Sequence, residues 1–246
     1  MCGNPRREAL QKYNSSKGGC VMQYEIKGGE MPVVEVYCDP GETIRCQGGG
    51  MLWMSDNMKM DTQGGGLGKM FGRVLSGEGL FQNTYTAVGT PGMIAFGGSF
   101  PGSIMAVEIG PGKDFICQKS AYLASTAGVE LSVAFQRKVG TALFGGEGFI
   151  MQKVSGSGTV FLEIDGSAIE YELAAGQKLI IDTGHLALME STCTMDIETV
   201  KGGAKNMLLG GEGFFNTVVT GPGKVTVQTM PKMALANAIS SMLPSK

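Results

Sequence analysis

The tripeptide Gly-Glu-Gly occurs three times in this chain of 246 residues, centred on Glu78, Glu147 and Glu212, and each copy runs into bulky apolar residues: Leu80-Phe81, Phe149-Ile150 and Phe214-Phe215. The centres lie 69 and 65 residues apart. A second landmark keeps step. Val34-Glu35-Val36 leads to Pro40-Gly41-Glu42, Val107-Glu108-Ile109 to Pro111-Gly112-Lys113, and Tyr171-Glu172-Leu173 to Ala175-Gly176-Gln177. From each landmark glycine to the next central Glu the offsets are 37, 35 and 36. Two landmarks in constant phase mark a tandem repeat, and a repeat restricts the fold to units that stack or ring on one another.

A third landmark follows each Gly-Glu-Gly: Gly89-Thr-Pro-Gly92, Gly156-Ser-Gly158 and Gly221-Pro-Gly223. The flanks Thr159-Val160-Phe161-Leu162-Glu163-Ile164 and Lys224-Val225-Thr226-Val227-Gln228-Thr229 are strand-like. In the second, Val225 and Val227 alternate with Lys224, Thr226 and Gln228, the period of a half-buried strand. The glycines between such flanks supply positive φ for tight turns, and hairpins are expected there. Each repeat therefore predicts several short antiparallel strands with little helix, at about 31–100, 101–166 and 167–230. A module of that size closes its own core poorly, so three should pack around a shared pseudo-threefold axis into one all-β body spanning 21–243. The period changes at the end. Leu235, Ala236, Ile239, Met242 and Leu243 fall at helical spacing, which predicts a short C-terminal helix over 232–243 that packs on the body or on a sister subunit, with attachment to a membrane surface as the alternative.

Composition sets outer limits. Forty glycines without a collagen period, 43% apolar residues and only 17% charged residues describe a folded, turn-rich protein. Twenty basic and 22 acidic side chains nearly cancel, so no electrostatic footprint for nucleic acid or anionic lipid is present. Gly79 to Val107 carries no charge, yet Gln82, Asn83, Thr84, Pro91 and Pro101 interrupt it and no membrane span is expected. Residues 1–20 are polar and read as a flexible tail, either a solvated segment or a poor transit peptide. Cys2, Cys20, Cys38, Cys46, Cys117 and Cys193 form no Cys-x-x-Cys pair, which fits free thiols in a reducing compartment.

The chemistry on offer is thin. Gly64 to Lys69 resembles a phosphate cradle, but Gln63 occupies the glycine position of a P-loop and Met70 follows Lys69 where Ser or Thr is needed for magnesium. His185 is the only histidine, near Asp182 and Thr183. A metal oxygenase of the β-helix type needs two or three His, so a hydrogen-bonded structural histidine is expected. Glu78, Glu147 and Glu212 could meet around a threefold axis to hold a hard cation; a Glu locked between glycines and accepting backbone N–H bonds is the simpler account. Met51, Met54 and Met58 fall at helical spacing, but the repeat register matches Met51 to Ser55 with the strands around Tyr122 to Ser125 and Leu186 to Met189. No catalytic, cofactor or metal residue is assigned.

The glycine-rich run through Leu75-Ser76-Gly77-Glu78-Gly79-Leu80-Phe81-Gln82-Asn83, with Pro40-Gly41-Glu42 upstream, resembles the family of the altered inheritance of mitochondria protein twenty-four of yeast and its bacterial relatives, over about Val21 to Leu243. That resemblance implies tandem double-stranded β-helix modules like the body of the tryptophan-sensing RNA attenuation protein. It also implies frequent oligomers, and a link to mitochondrial membrane organisation for the yeast relative. It carries no catalytic residues, and RNA binding does not follow from fold alone. The expectation is a non-enzymatic scaffold or interaction protein without cofactor, cytoplasmic or alternatively mitochondrial. It should work as a homo-oligomer, for instance a trimer, through strand edges or the C-terminal helix. A small-ligand-binding or enzymatic β-helix protein is the alternative.

Overall fold

Val34, Val36 and Cys38 are buried while Val33, Glu35 and Tyr37 are only half-buried, the alternation of a strand with one face on a core. The same logic runs through the computed structural model, which describes residues 22–62, 82–137, 148–199, 215–240 and 242. The first strands are β1 (Gln23–Lys27), β2 (Val33–Cys38), β3 (Thr43–Gln47), β4 (Met51–Met54), β5 (Met58–Thr62), β6 (Gln82–Ala87) and β7 (Gly92–Gly97). Then come β8 (Gly102–Ile109), β9 (Phe115–Gln118), β10 (Tyr122–Thr126), β11 (Val129–Arg137), β12 (Phe149–Gly156) and β13 (Gly158–Asp165). The last are β14 (Ala168–Leu173), β15 (Lys178–Asp182), β16 (Leu186–Glu190), β17 (Thr194–Thr199), β18 (Phe215–Thr220) and β19 (Gly223–Gln228), followed by helix α1 (Lys232–Ser240). The molecule is predominantly β with one short C-terminal helix among the described residues.

The pairing rule recurs. β2 pairs β7 and β7 pairs β4, while β3 pairs β6 and β6 pairs β5. β8–β13–β10 and β9–β12–β11 repeat this, as do β14–β19–β16 and β15–β18–β17. Two further pairings cross between sets: β3 with β10, and β9 with β16. They fuse half-sheets into six-stranded sheets ordered β5-β6-β3-β10-β13-β8 and β11-β12-β9-β16-β19-β14. At the two ends of the series the half-sheets stay separate, as β1-β2-β7-β4 and β15-β18-β17.

The landmark glycines have a physical reason. Gly41 donates its N–H to Ala87 O while Ala87 donates to Glu42 O, and Gly176 and Gln177 make the same pair of bonds with Gly221. One extra residue is thereby absorbed in a bulge whose first position needs left-handed backbone, and Gly41 and Gly176 have φ of +86° and +77°.

The third landmark corrects the hairpin expectation. β6 and β7 lie in different sheets, as do β12 and β13, and β18 and β19. The glycines at 89–92, 156–158 and 221–223 turn the chain from one sheet to the facing one, because both strands of each pair already have two neighbours elsewhere. Covering by a second sheet also spoils the expected alternation in β19: Thr226 and Gln228 are buried alongside Val225.

The core forms three apolar clusters that ignore the sequence boundaries between sets. One joins Val34, Ile44, Tyr85 and Phe96 to Leu123 and Phe161, and another joins Leu173, Leu186 and Val225 to Phe149 and Met151. Met51–Met54 is a strand, as the repeat register required, not a helical turn. The described helix is Lys232–Ser240; none of its residues is buried, and Ile239 is 52% exposed. Its first residue, Lys232, is bonded to Asp165, so the start of the helix is held to the body while residues 236–240 stay exposed. The segments with Glu78, Glu147, Glu212 and the Gly64 to Lys69 run, and the tail with Cys2 and Cys20, lie outside the described residues.

Candidate interaction surface

Four cysteines that the sequence presents as free thiols are buried. Burial pushes the thiols of Cys46 and Cys117 up to about 11 and about 12. Cys38, also beside Glu42 and Asp39, is pushed up to about 12, and Cys193 is raised too. A thiol so displaced is a poor nucleophile and packs as a small apolar group.

His185 closes a short 3-10 turn, Thr183–His185, between β15 and β16. Its Nδ1 lies 2.7 Å from the Gln228 carbonyl oxygen, which can only accept, so Nδ1 donates. Thr183 donates to the Phe215 carbonyl at 2.7 Å and receives a 3.3 Å bond from Thr217, while Asp182 is exposed. His185 thus fastens the turn to β19, and it is not brought together with a second acid. Around it runs a buried amide network missed in the sequence: Gln228 Nε2 donates to Gly184 O at 2.9 Å and to Gln118 Oε1 at 3.2 Å, and its Oε1 accepts from Asp165 N–H at 3.0 Å.

A carboxylate pair was missed as well. Glu163 and Asp165 at the end of β13 are 3% and 6% exposed. Glu163 Oε1 accepts from Ser99 N–H at 3.2 Å and lies 2.5 Å from Lys232 Nζ, which also sits 5.6 Å from the centre of the Phe100 ring. Asp165 Oδ2 accepts the Lys232 backbone N–H at 3.0 Å and so caps the start of α1. Burial raises the Asp165 carboxyl above its ordinary range, against the pull of Lys232. The only hint in the sequence is a pair of acids at alternate positions in an otherwise apolar strand. Its geometry, with both acids engaged by Lys232, is that of a clamp holding α1 to the middle of the chain.

Among the described residues no cluster of His, Cys, Asp and Glu is spaced to hold a metal. An open groove of about 510 Å³ is lined by Gly29, Glu30, Gly102, Ser103, Met105, Gly166, Ser167 and Ala168. It contains neither His185 nor Asp182.

The distinctive surface lies at two strand edges. Among the described residues β4 pairs on one side only, with β7, and β15 on one side only, with β18. Leu52, Trp53 and Met54 are 47%, 46% and 37% exposed, and Ile180 is 66% exposed. Consecutive exposed apolar residues on an unpaired edge form a template for another strand.

Comparison with known proteins agrees with this architecture. An uncharacterized protein of Streptococcus pyogenes serotype M6 is 29% identical over 226 residues, 88% of each chain. The crystal structure of a Streptococcus pyogenes protein superimposes with a TM-score of 0.75 at 26% identity, covering 90% of this chain and 100% of that one. No helix among the described residues is long and apolar enough to cross a membrane. The family pattern described as Mitochondrial biogenesis AIM24 matches residues 24–230, the stretch that holds every described strand but the first residue of β1, and the chain belongs to that family.

Proposed function

We propose that this chain is a non-enzymatic interaction scaffold that works as a homo-oligomer, built from three tandem double-stranded β-helix modules at about 31–100, 101–166 and 167–230. The observation that carries the reading is the pair of apolar edges, β4 and β15, that have no second partner strand among the described residues. Closure about a pseudo-threefold axis within one chain would set β15 beside β4; since both are sheet edges, the reading keeps the modules in tandem and leaves closure to another copy. Buried thiols fit a reducing compartment, so the cytoplasm is the assigned location and the mitochondrion the alternative. Organisation of membranes or mitochondria would then be exerted through protein partners, without cofactor or nucleic acid.

Light scattering on the full chain at micromolar concentration tests this: a mass above one chain is expected, and a lone chain at every concentration contradicts it. The alternative, a small-ligand-binding or enzymatic β-helix protein, rests on the open groove beside Glu30. Metal recovered in stoichiometric amount from the native protein by elemental analysis would favour that alternative.

A further inference from the structure

We propose that copies of this chain join head to tail, β15 of one copy pairing antiparallel with β4 of the next. The proposal rests on the scaffold reading and names its partner and contact. Several strands lie at sheet edges, but β4 and β15 differ from the rest. The counterparts of β4, which are β10 and β16, lie inside six-stranded sheets, as do the counterparts of β15, which are β3 and β9. By contrast β5, β11 and β17 are edges in every set. Among the described residues these two strands are thus the two halves of a junction that is made twice and left open once. Joined, they give the order β17-β18-β15-β4-β7-β2, the same as β5-β6-β3-β10-β13-β8.

The register follows from the two formed junctions. In one, Ala124 faces Cys46 and Ser125 faces Arg45; in the other, Leu188 faces Cys117 and Met189 faces Ile116. Counting from Gly41, Gly112 and Gly176, the residue equivalent to Cys46 and Cys117 is Ile181. The equivalents of Ala124 and Leu188, each following a one-residue irregularity, are Trp53. Trp53 should therefore face Ile181, and Met54 should face Ile180.

Hydrogen-bond direction gives an independent check. Ser55 N–H bonds to Met93 O, so at the preceding position Met54 turns its N–H and C=O away from β7, toward the open edge. Gly221 N–H bonds to Gln177 O, and the alternation from there leaves Ile180 facing away from β18. The two residues brought opposite by register are the two whose backbone groups point outward. The second junction continues by one bond, from Ser191 N–H to Asp114 O; its counterpart would set exposed Asp56 against exposed Lys178, opposite charges.

Burial shows what the junction covers. Leu123 and Ala187 are fully buried and Met189 is 1% exposed, whereas Leu52 and Met54 at matching places are 47% and 37% exposed. A contact between unlike edges propagates into a ring or a filament according to whether its rotation closes.

The test uses two full-length variants, Met54→Pro and Ile180→Pro. Each removes an outward N–H on an edge strand, a place where proline is tolerated. Light scattering should find each variant alone as a single chain, and a mixture should yield a one-to-one pair and nothing larger, because each retains the edge its partner lacks. A variant that keeps the wild-type mass, or a mixture that stays monomeric, overturns the proposal while leaving the scaffold reading in place; a monomeric wild type overturns both. Should either proline chain fail to fold, Met54→Cys and Ile180→Cys chains in a Cys2→Ser, Cys20→Ser background replace them. Oxidation should cross-link the mixture and neither chain alone; a cross-link within one variant, or none in the mixture, overturns the proposal.

Discussion

β4 and β10 occupy the same place in the pairing scheme, each bonded on one side to the last strand of its set, β7 or β13, yet Leu123 in β10 is fully buried and Leu52 in β4 is 47% exposed. The strands themselves differ less than their surroundings. Among the described residues β10 has β3 on its other side and β4 has no strand, so the half-sheet made by β5, β6 and β3 flanks the one and no described half-sheet flanks the other. Where the same junction recurs along a chain its ends differ: each junction uses two different strands, and one of each is left without that neighbour among the described residues.

The largest expected effect concerns chemistry at the closed junctions. Cys46 and Cys117 lie in β3 and β9, with thiols displaced to about 11 and about 12 from an ordinary 9.0. In a Cys2→Ser, Cys20→Ser chain at pH 8 they should react with a thiol reagent about a hundredfold or more slower than an unburied cysteine, and at the normal rate after unfolding in urea. Rapid labelling of the folded protein would mean that the inner junctions are as open as the ends.

Next comes packing. Leu123→Ala should cost about 3 kcal/mol in urea denaturation, the usual loss for a fully buried leucine. Leu52→Ala should cost less than about 1 kcal/mol in the proline-blocked single chain and instead weaken association. Equal losses would erase the distinction between β10 and β4.

A comparable effect belongs to the clamp. Lys232→Ala leaves Glu163 buried without its cation and should lower stability by about 3 kcal/mol, with much of the loss recovered by Glu163→Gln in the same chain. Failure of that rescue would detach α1 from the account of how the last set is tied to the middle.

The smallest effect lies at the outer edge of the first half-sheet. Lys27 lies 2.5 Å from Glu35 and holds its carboxyl below the ordinary 4.5. A lowered carboxyl contributes stability that is complete above pH 4.5 and is lost as pH falls through its folded value. Glu35→Gln should therefore lower thermal stability slightly at pH 7, by about 0.5 kcal/mol for so exposed a pair, and by less at pH 3. A difference that grows on acidification contradicts the assignment.

The predominance of β-structure and the positions of several turns were legible in the landmark glycines. Gly41, Gly112 and Gly176 recur because a positive φ is needed there, and that requirement is local. What failed to show was non-local. Nothing in Gly156-Ser-Gly158 distinguishes a hairpin from a turn between facing sheets, since both need the same backbone and differ only in which strands pair. The Glu163–Lys232 clamp joins residues 69 apart in the sequence, which no spacing rule anticipates. The asymmetry of β4 and β15 was hidden for the opposite reason: in sequence they look like their counterparts, and only their position at the ends of the series leaves them without a second neighbour among the described residues.

Hydrogen exchange addresses the central claim most directly, comparing the wild-type chain with Ile180→Pro at the same concentration. The Met54 and Asp56 amides, which point away from β7, should be protected in the wild type and exposed in the variant, while those of β10 stay protected in both, because a change more than 120 residues away in sequence reaches β4 only through another copy. Identical exchange of β4 in the two proteins would contradict the account.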